Sequence, residues 1–149
     1  MITVRECTKE DLENLCVIEN ECFVNPWSKD DVLYEITTNP INTIYVAFDE
    51  DNLIGFIDYM VTFNSATISQ VAVTKKYRKQ GIATMLMRKM FESLPSEGDD
   101  IVEFVTLEVR QSNEPAINFY LKNGFEKITV KKGYYKDSED AIYMVKGMR

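Results

Sequence analysis

Three polar side chains in residues 107–125 could take part in one reaction. Glu108 lies on a predicted strand, Asn113 opens the predicted helix after it, and Tyr120 lies two helical turns further along the same face. A carboxylate can take a proton from a nucleophile, and a phenol can hydrogen-bond a leaving group. Singly, each has a plainer explanation: a strand Glu is solvated, a helix Tyr packs, and an Asn at a helix start is a cap. Only their joint spacing favours a shared cleft.

A basic turn between a strand and a helix is a second candidate site, in residues 68–90. The strand residues Ile68, Val71 and Val73 are β-branched, and from Ile82 the apolar residues follow helical spacing. The turn holds Lys75, Lys76, Arg78, Lys79 and Gly81. Unpaired N–H groups and the positive end of the helix dipole point at this turn. They predict a phosphate or pyrophosphate site, with a solvated basic face as the alternative.

Composition removes several classes of chemistry. The chain has a net charge of −7 and no histidine. Without histidine there is no Ser-His or Cys-His nucleophile pair, and most zinc sites are excluded, so we expect no metal. The motifs G-x-x-x-x-G-K-[ST] and G-x-G-x-x-G are absent, which argues against two other kinds of phosphate loop. The acidic balance argues against direct contact with nucleic acid.

Length and cysteine content predict one cytoplasmic domain. A chain of 149 residues fits a single domain, 1–149, and needs no disulfide bonds or structural metal ions to be stable. Because Cys7, Cys16 and Cys22 are odd in number, we expect reduced thiols, with Cys16 and Cys22 as small buried residues of a helix. No segment has the apolar length of a signal peptide or a membrane span, so we expect a cytoplasmic protein without membrane contact.

Periodicity and turn signals predict alternating strands and helices. Thr8, Ser28 and Asn113 are expected to cap helices, and Gly124 to follow the end of the last one. Six further strands are predicted: a short strand at 2–5, a hairpin at 42–48 and 53–62, a strand with alternating faces at 102–110, and closing strands at 125–130 and 141–145. The order β, α, α, β, β, β, α, β, α, β, β predicts an α/β (α+β) fold with helices covering a mostly antiparallel sheet.

The basic turn resembles the R/Q-x-x-G-x-G/A motif of the GCN5-related N-acetyltransferase (GNAT) family. The matching residues are Arg78-Lys79-Gln80-Gly81-Ile82-Ala83, after a Val-Ala-Val strand, and Ala83 is an accepted variant of glycine. The resemblance implies the GNAT fold, with one mixed sheet splayed in the middle and helices on both faces, and acetyl-CoA as cosubstrate. It implies cofactor contacts from Val71, Ala72, Val73, Arg78, Lys79, Gln80, Gly81, Ile82, Ala83 and Thr84. The strand amides would meet the pantetheine arm and the loop the pyrophosphate.

Residues 107–125 resemble the signature of the ribosomal-protein-alanine N-acetyltransferases, the RimI branch of that family. The shared pattern is L-E-V-R-x-S-N-x-x-A-I-x-x-Y-x-x-x-G-F. The resemblance implies that Glu108 is the general base, Tyr120 the general acid and Asn113 a cofactor contact.

Two further segments resemble the same branch. Asn25-Pro26-Trp27-Ser28 has Asn25 where phenylalanine is usual, and Lys132-Gly133-Tyr134-Tyr135 has Gly133 where asparagine is usual. The resemblance implies that Trp27, Tyr134 and Tyr135 bind the acceptor, with rim packing of amphipathic aromatics as the alternative. The departure at Gly133 leaves the peptide preference open.

The implied function is transfer of an acetyl group from acetyl-CoA to a protein N-terminus. The favoured acceptor is the N-terminal alanine of a small-subunit ribosomal protein. An α-amine with a pKa near ~8 is about one-tenth neutral at pH 7, whereas a lysine near ~10.4 is neutral about once in 2,500 molecules, which favours the α-amine. A lysine side chain or a small polyamine are the rival acceptors. A low-turnover acetyl-CoA-binding module and a nucleic-acid-binding domain are the rival classes. We expect a monomer or a weak dimer.

Overall fold

The computed structural model describes residues 1–148. Its α-helices are α1 (Leu12–Cys22), α2 (Lys29–Thr37), α3 (Ile82–Ser93) and α4 (Glu114–Lys122). Its strands are β1 (Ile2–Glu6), β2 (Asn42–Asp49), β3 (Asn52–Thr62), β4 (Ser65–Val73), β5 (Phe104–Arg110), β6 (Glu126–Lys131) and β7 (Ala141–Gly147). Short 3-10 turns at Lys9–Asp11 and Lys75–Tyr77 precede α1 and α3. None of the helices in this part of the chain has the length and apolar character needed to cross a membrane.

The described strands form one seven-stranded sheet in the order β1-β2-β3-β4-β5-β7-β6. Strands β4 and β5 are parallel, and their pairing runs from Ser65 opposite Phe104 to Ile68 opposite Leu107. The pairs β1–β2, β2–β3, β5–β7 and β6–β7 are antiparallel. Parallel neighbours need a long crossover, which the segment containing α3 supplies. The predicted mixed, mostly antiparallel sheet is therefore confirmed.

The first of two compact units comprises Met1–Met60 and Gln70–Leu94. Its core joins one face of α1 to α2 and to inward-facing strand positions. The buried members are Leu12, Leu15, Ile18, Val32, Ile44, Val46, Phe56 and Ala72. Helix α1 buries one face because its apolar residues recur at helical spacing. Cys7, Cys16 and Cys22 are free thiols packed half-buried against this cluster, so Cys16 and Cys22 are less deeply buried than predicted.

The second unit comprises Val61–Ser69 and the chain from Pro95 onward. Strand β5 alternates as predicted, because successive side chains of a strand point to opposite faces. Its buried residues are Val105, Leu107 and Val109, and its partly exposed ones are Thr106, Glu108 and Arg110. Helix α4 buries Ile117 and Tyr120. One face of β5 therefore enters the core while the other holds Glu108 at an accessible position.

Several predicted helix ends are confirmed by their hydrogen bonds. The Ser28 hydroxyl accepts the Asp31 N–H at 3.1 Å, and the Asn113 side chain accepts the Ala116 N–H at 3.3 Å. Gly124 follows α4 with a φ of 92°, in the left-handed region. At Thr8 the backbone N–H donates to the Asp11 carboxylate at 2.8 Å. The chain after Thr8 starts as a 3-10 turn, so the α-helix begins later than the cap predicts.

Strands β5 and β6 begin later than the sequence predicts, because earlier residues use their N–H groups elsewhere. The Val102 N–H donates to the Pro95 carbonyl at 2.9 Å, so β5 begins at Phe104 instead of Val102. The Phe125 N–H donates to the Tyr120 carbonyl at 3.0 Å and closes α4, so β6 begins one residue later, at Glu126.

Asp58 is an acid buried in the first unit. Its side chain is 2% exposed on β3, and its Oδ1 atom has no hydrogen-bond partner in the part of the chain that the structure describes. Burial raises the pKa of Asp58 to about 7, the charges of Glu35 and Glu19 add to the shift, and the Asn42 side chain only partly opposes it. The carboxyl is therefore protonated in the folded protein at mildly acidic pH.

We expect Ser28→Ala to lower the free energy of unfolding by about 1 kcal/mol, because it removes the side-chain cap of α2. Urea denaturation measures the change. Ser69→Ala is the control, since Ser69 is exposed on β4, and it should stay within about 0.5 kcal/mol of the parent. Equal losses in the two variants would contradict the capping role.

We expect Asp58→Asn to raise stability at pH 8 relative to the parent, and to leave it nearly unchanged at pH 4. Below the unfolded pKa, the parent carboxyl is protonated in both states. Between about pH 4 and 7 it ionises first in the unfolded chain, so stability is lost as the pH rises. The full difference is on the order of 4 kcal/mol.

Denaturant titrations at several pH values measure this difference. Asp51→Asn, in the exposed turn between β2 and β3, is the control and should keep the parent's pH dependence. An Asp58→Asn curve parallel to that of the parent across this pH range would refute the assignment.

Candidate active site

The turn between β4 and α3 presents a run of backbone N–H groups. Lys79 and Gly81 both have left-handed backbones, with φ of 63° and 81°, and Gly81 is the N-cap of α3. In the described chain, no acceptor is hydrogen-bonded to the N–H groups of residues 79–84, whereas the Met85 N–H bonds the Gly81 carbonyl at 3.0 Å. Alternating left-handed residues at a helix start form a concave anion-binding nest.

Side chains from the first unit hold this turn in place. The Tyr77 hydroxyl donates to Asp49 Oδ2 at 2.6 Å, and the Glu21 carboxylate accepts the Lys75 N–H at 2.8 Å. The Gln80 amide donates to the Lys76 carbonyl at 3.2 Å. The nest is therefore supported from several directions, so little ordering remains for ligand binding.

Arg78 is folded back onto β4 in this structure. Its Nε donates to the Val73 carbonyl at 3.0 Å, and its Nη2 lies 3.4 Å from Cys22 Sγ. The Cys22 thiol itself lies 3.6 Å from the same carbonyl, and burial raises its pKa. Lys75 and Lys79 are exposed beside the nest. Amides, cations and a helix start therefore fit a pyrophosphate group, with the lysines as its mobile charges.

The strand residues predicted to contact the cofactor are the last three of β4, namely Val71, Ala72 and Val73. Ala72 is 6% exposed, while Val71 and Val73 are half-buried. Gly55 on β3 lies against this segment, because a Cβ atom there would approach the Ala72 carbonyl to 2.8 Å. A side chain at Gly55 would therefore push on the backbone of β4.

In the second unit, Glu108 accepts a hydrogen bond from Lys131, a residue that the sequence analysis did not identify. Lys131 Nζ lies 2.7 Å from Glu108 Oε1, and the two side chains are 41% and 19% exposed. The hydrogen bond to Glu108 is the main cause of the raised pKa of Lys131. The ammonium also lies 4.7 Å from the ring centroid of Tyr143 and 5.4 Å from that of Tyr134. The candidate base therefore already binds an amine.

Tyr120 lies on α4 and is 8% exposed. It packs edge-on against Phe119 and Phe125, with ring centroids 5.6 Å apart in each pair. Burial raises the pKa of the phenol, and Tyr135 adds a smaller effect in the same direction. The hydroxyl therefore stays protonated across the physiological range and can act as a hydrogen-bond donor.

Tyr135 lies in the loop between β6 and β7 and is half-buried. Burial raises the pKa of Tyr135 to about 12, Arg110 opposes that shift, and Glu108 is among the smaller charges that add to it. The Arg110 guanidinium lies 4.1 Å from the Tyr135 ring centroid and donates to Asp137 and Glu139 at 2.9 Å each. The loop between β6 and β7 is thereby tied to β5.

The acidic end of the same loop is held by backbone hydrogen bonds. Glu139 accepts the Ser112 N–H at 2.9 Å, and its hydrogen bonds with Ser112 and Arg110 lower its pKa to about 2. Asp140 accepts the Gly133 N–H at 2.8 Å. Tyr134 is 50% exposed at the tip of the loop and contacts the Tyr135 ring edge-on at 5.0 Å. The loop therefore presents one aromatic ring to solvent and buries part of the other.

Trp27 lies in the first unit, in the segment between α1 and α2. Its backbone N–H donates to Glu19 Oε1 at 2.8 Å, and the Gln70 amide donates to the same oxygen at 2.7 Å. Glu19 is fully buried, which raises its pKa. The Trp27 side chain is half-buried against the core cluster. A buried acid thus holds the loop that carries this predicted acceptor contact.

Sequence reasoning missed several residues around these sites. The largest omissions are Lys131, Tyr143, Arg110 and Cys22. The sequence has no signal for Lys131, since its contact with Glu108 depends on the strand order β5-β7-β6. Arg110 had one weak signal, because it follows Glu108 by two residues and so shares its face of β5. Among the described residues, no group of three or more acidic, histidine or cysteine side chains could hold a metal ion.

The mixed sheet with its parallel pair and the amide-lined turn are features of an acetyltransferase. The chain belongs to the acetyltransferase (GNAT) family, whose family model matches residues 12–125. A Bacillus subtilis (strain 168) protein, provisionally named a ribosomal protein bS18-alanine N-acetyltransferase, is 34% identical over 142 residues, which cover 95% of this chain and 92% of that protein.

Two further comparisons agree with this result. The ribosomal protein bS18-alanine N-acetyltransferase of Haemophilus ducreyi is 31% identical over 145 residues, covering 95% of this chain and 97% of that protein. The crystal structure of the ribosomal-protein-alanine N-acetyltransferase from Escherichia coli matches with a TM-score of 0.88 at 28% identity, covering 99% of this chain and 94% of that chain. The predicted family is therefore confirmed, and its catalytic activity is acetyl transfer.

We expect Gly81→Ala to weaken binding of coenzyme A about tenfold. A left-handed alanine costs about 1–2 kcal/mol, and relief of that strain would turn the nest amides away from the pyrophosphate. Isothermal titration calorimetry measures the Kd. Gly98→Ala is a matched control, because Gly98 has a φ of 84° and equally open surroundings in the loop before β5. Equal Kd values for both variants would show that the nest does not bind this ligand.

Proposed function

We propose that this protein acetylates the α-amino group of a protein N-terminus, with the N-terminal alanine of a small-subunit ribosomal protein as the first acceptor to test. The main support for the proposal is the activity for which similar proteins are named. Proteins that match over more than nine-tenths of this chain are named for that acceptor. A ribosomal acceptor would place the reaction in the cytoplasm.

Acetyl-CoA is the proposed cosubstrate, held by residues of the first unit. The N–H groups of residues 79–84 and the exposed Lys75 and Lys79 would bind its pyrophosphate. Val71, Ala72 and Val73 would offer backbone groups to its pantetheine arm. Asn113, at the start of α4, is a further proposed cofactor contact. The thioester supplies an activated acetyl group with a thiol as leaving group.

Glu108 is the proposed general base. An acceptor α-amine is mostly protonated at pH 7, so a base must take a proton before nitrogen can attack the carbonyl carbon. The Glu108 carboxylate is partly exposed on β5 and already accepts a hydrogen bond from an amine, which supports this role. The proton would pass to it directly or through one water.

Tyr120 is proposed to stabilise the leaving sulfur. A buried phenol with a raised pKa gives up its proton less readily than a thiol does, so complete transfer to a thiolate is unfavourable. A hydrogen bond from the neutral hydroxyl is favourable throughout the reaction. Direct attack by the acceptor needs no protein nucleophile, consistent with the absence of histidine from the sequence.

The acceptor peptide is proposed to contact Trp27, Tyr134 and Tyr135. The structural support is that each ring lies on a segment held by buried or paired acids, with Tyr134 half exposed. Rings fixed in this way lose little entropy when a peptide binds. Gly133 precedes the two tyrosines with a φ of 60°, a left-handed conformation that glycine adopts without strain.

We expect Glu108→Gln to lower kcat for an alanine-terminated peptide by about 100-fold or more, the range of general-base catalysis. Tyr120→Phe should lower it about tenfold, which corresponds to one lost hydrogen bond to a charged group. Free-thiol release from acetyl-CoA measures both rates. Glu126→Gln, exposed on β6, is the control and should leave the rate unchanged.

The choice of acceptor decides among the remaining functions. Three acceptors are compared in the reaction of the parent protein: the alanine peptide, the same peptide with a blocked N-terminus, and spermine. Turnover only with the free N-terminus supports the proposal. Turnover with a blocked, lysine-containing peptide or with spermine would refute the α-amine acceptor. Tight coenzyme A binding with no turnover on any of the three would favour a binding module.

A further inference from the structure

The contact between Lys131 and Glu108 has the composition of a binding site for a primary ammonium. A carboxylate oxygen lies 2.7 Å from the Lys131 nitrogen, and the rings of Tyr143 and Tyr134 lie 4.7 Å and 5.4 Å away. A carboxylate neutralises the charge, and ring faces attract the remaining polarised N–H groups. We call the Glu108 carboxylate with these two rings the ammonium site.

A lysine side chain and a peptide N-terminus present the same chemical group to such a site. Both end in a primary ammonium with three N–H donors. The site contains the carboxylate that we propose as general base, so a reacting amine must come to the same atoms. The structure therefore has an amine of the protein itself where the acceptor amine is needed.

The Lys131 side chain is also able to move away from Glu108. It is the last residue of β6, its side chain is 41% exposed, and its stem has four flexible carbons. An ion pair with this exposure contributes only a few-fold to an equilibrium, because water screens it. An incoming α-ammonium would regain the same contacts, so exchange costs little.

We propose that the ammonium site is the subsite for the acceptor amino group, and that Lys131 occupies it until the acceptor displaces it. This inference rests on the proposed function, because it takes Glu108 as the base for an amine. It assigns roles to Lys131 and Tyr143 that the function alone does not require. Lys131 then competes with the acceptor inside the protein.

The arrangement explains how a lysine can stay beside the base without reacting. The pKa of Lys131 is raised by its bond to Glu108, so the side chain remains an ammonium and has no lone pair for attack. An α-amine loses its proton more easily, by roughly 300-fold in equilibrium terms. The same site therefore favours reaction of an N-terminus over that of a lysine.

The first test compares KM for the alanine peptide in variants of two lysines of β6. Lys131→Met should lower KM about threefold and change kcat less, because the competitor is gone. Lys127→Met is the matched control: Lys127 is an exposed lysine of the same strand and lies outside the loop that carries Tyr134, so KM should not change. Lys131→Arg keeps a cation that can pair with Glu108 and should keep the parent KM. A Lys131→Met variant with unchanged or higher KM, or one matched by Lys127→Met, overturns the proposal.

The second test observes displacement without catalysis. Side-chain NMR of isotope-labelled lysines is recorded with coenzyme A bound, and the Lys131 signal is identified by its loss in Lys131→Met. Adding the alanine peptide should move this signal to the position of a solvated lysine, while the peptide with a blocked N-terminus should not. A signal that ignores both peptides, or responds equally to both, overturns the proposal.

The two tests separate the failure of this inference from the failure of the proposed function. Acetylation of the peptide with no change in KM or in the Lys131 signal would overturn the subsite and leave the function standing. A Lys131 signal that responds only to the free N-terminus, in a protein that acetylates no α-amine, would support the subsite and overturn the function.

Discussion

Backbone amides without an acceptor inside a protein must be satisfied from outside it, and the turn between β4 and α3 concentrates such amides. The left-handed residues Lys79 and Gly81 turn successive N–H groups to one side, and α3 begins there and adds its own. Water can satisfy these groups, but an anion with several oxygens satisfies them together. Hydrogen bonds from the Tyr77 hydroxyl to Asp49 and from the Lys75 N–H to Glu21 hold this turn in place within the first unit.

The carboxyl groups of this protein differ mainly in what has replaced water around them. Burial is the largest effect on Asp58 and Glu19, and it raises the pKa values of both carboxyl groups. Glu139 has a guanidinium and a backbone N–H, so hydrogen bonding dominates and lowers its pKa. Glu108 pairs with a lysine ammonium that also lies near two tyrosine rings, and its side chain is partly exposed. Of these four, only Glu108 combines a bound amine with access for another one.

Local signals in the chain predicted most of the elements and several of their ends. Ser28 and Asn113 were recognisable as caps because a side-chain oxygen next to a helix start has one obvious donor. Alternation along β5 predicted which of its residues are buried, and so placed Glu108 on the accessible face. The strand starts were less accurate, because the N–H groups of Val102 and Phe125 bond to carbonyls that periodicity does not reveal.

The sequence by itself determined the family, the order of elements, the amide-rich turn and the positions of Glu108 and Tyr120, because each depends on neighbours within a few residues. Only the tertiary structure decided what surrounds those groups. The strand order β5-β7-β6 brings Lys131 to Glu108, and packing within the second unit buries Tyr120 and keeps its proton in place. Contacts between residues far apart in the chain depend on strand order, register and side-chain direction together, and no local pattern encodes that combination.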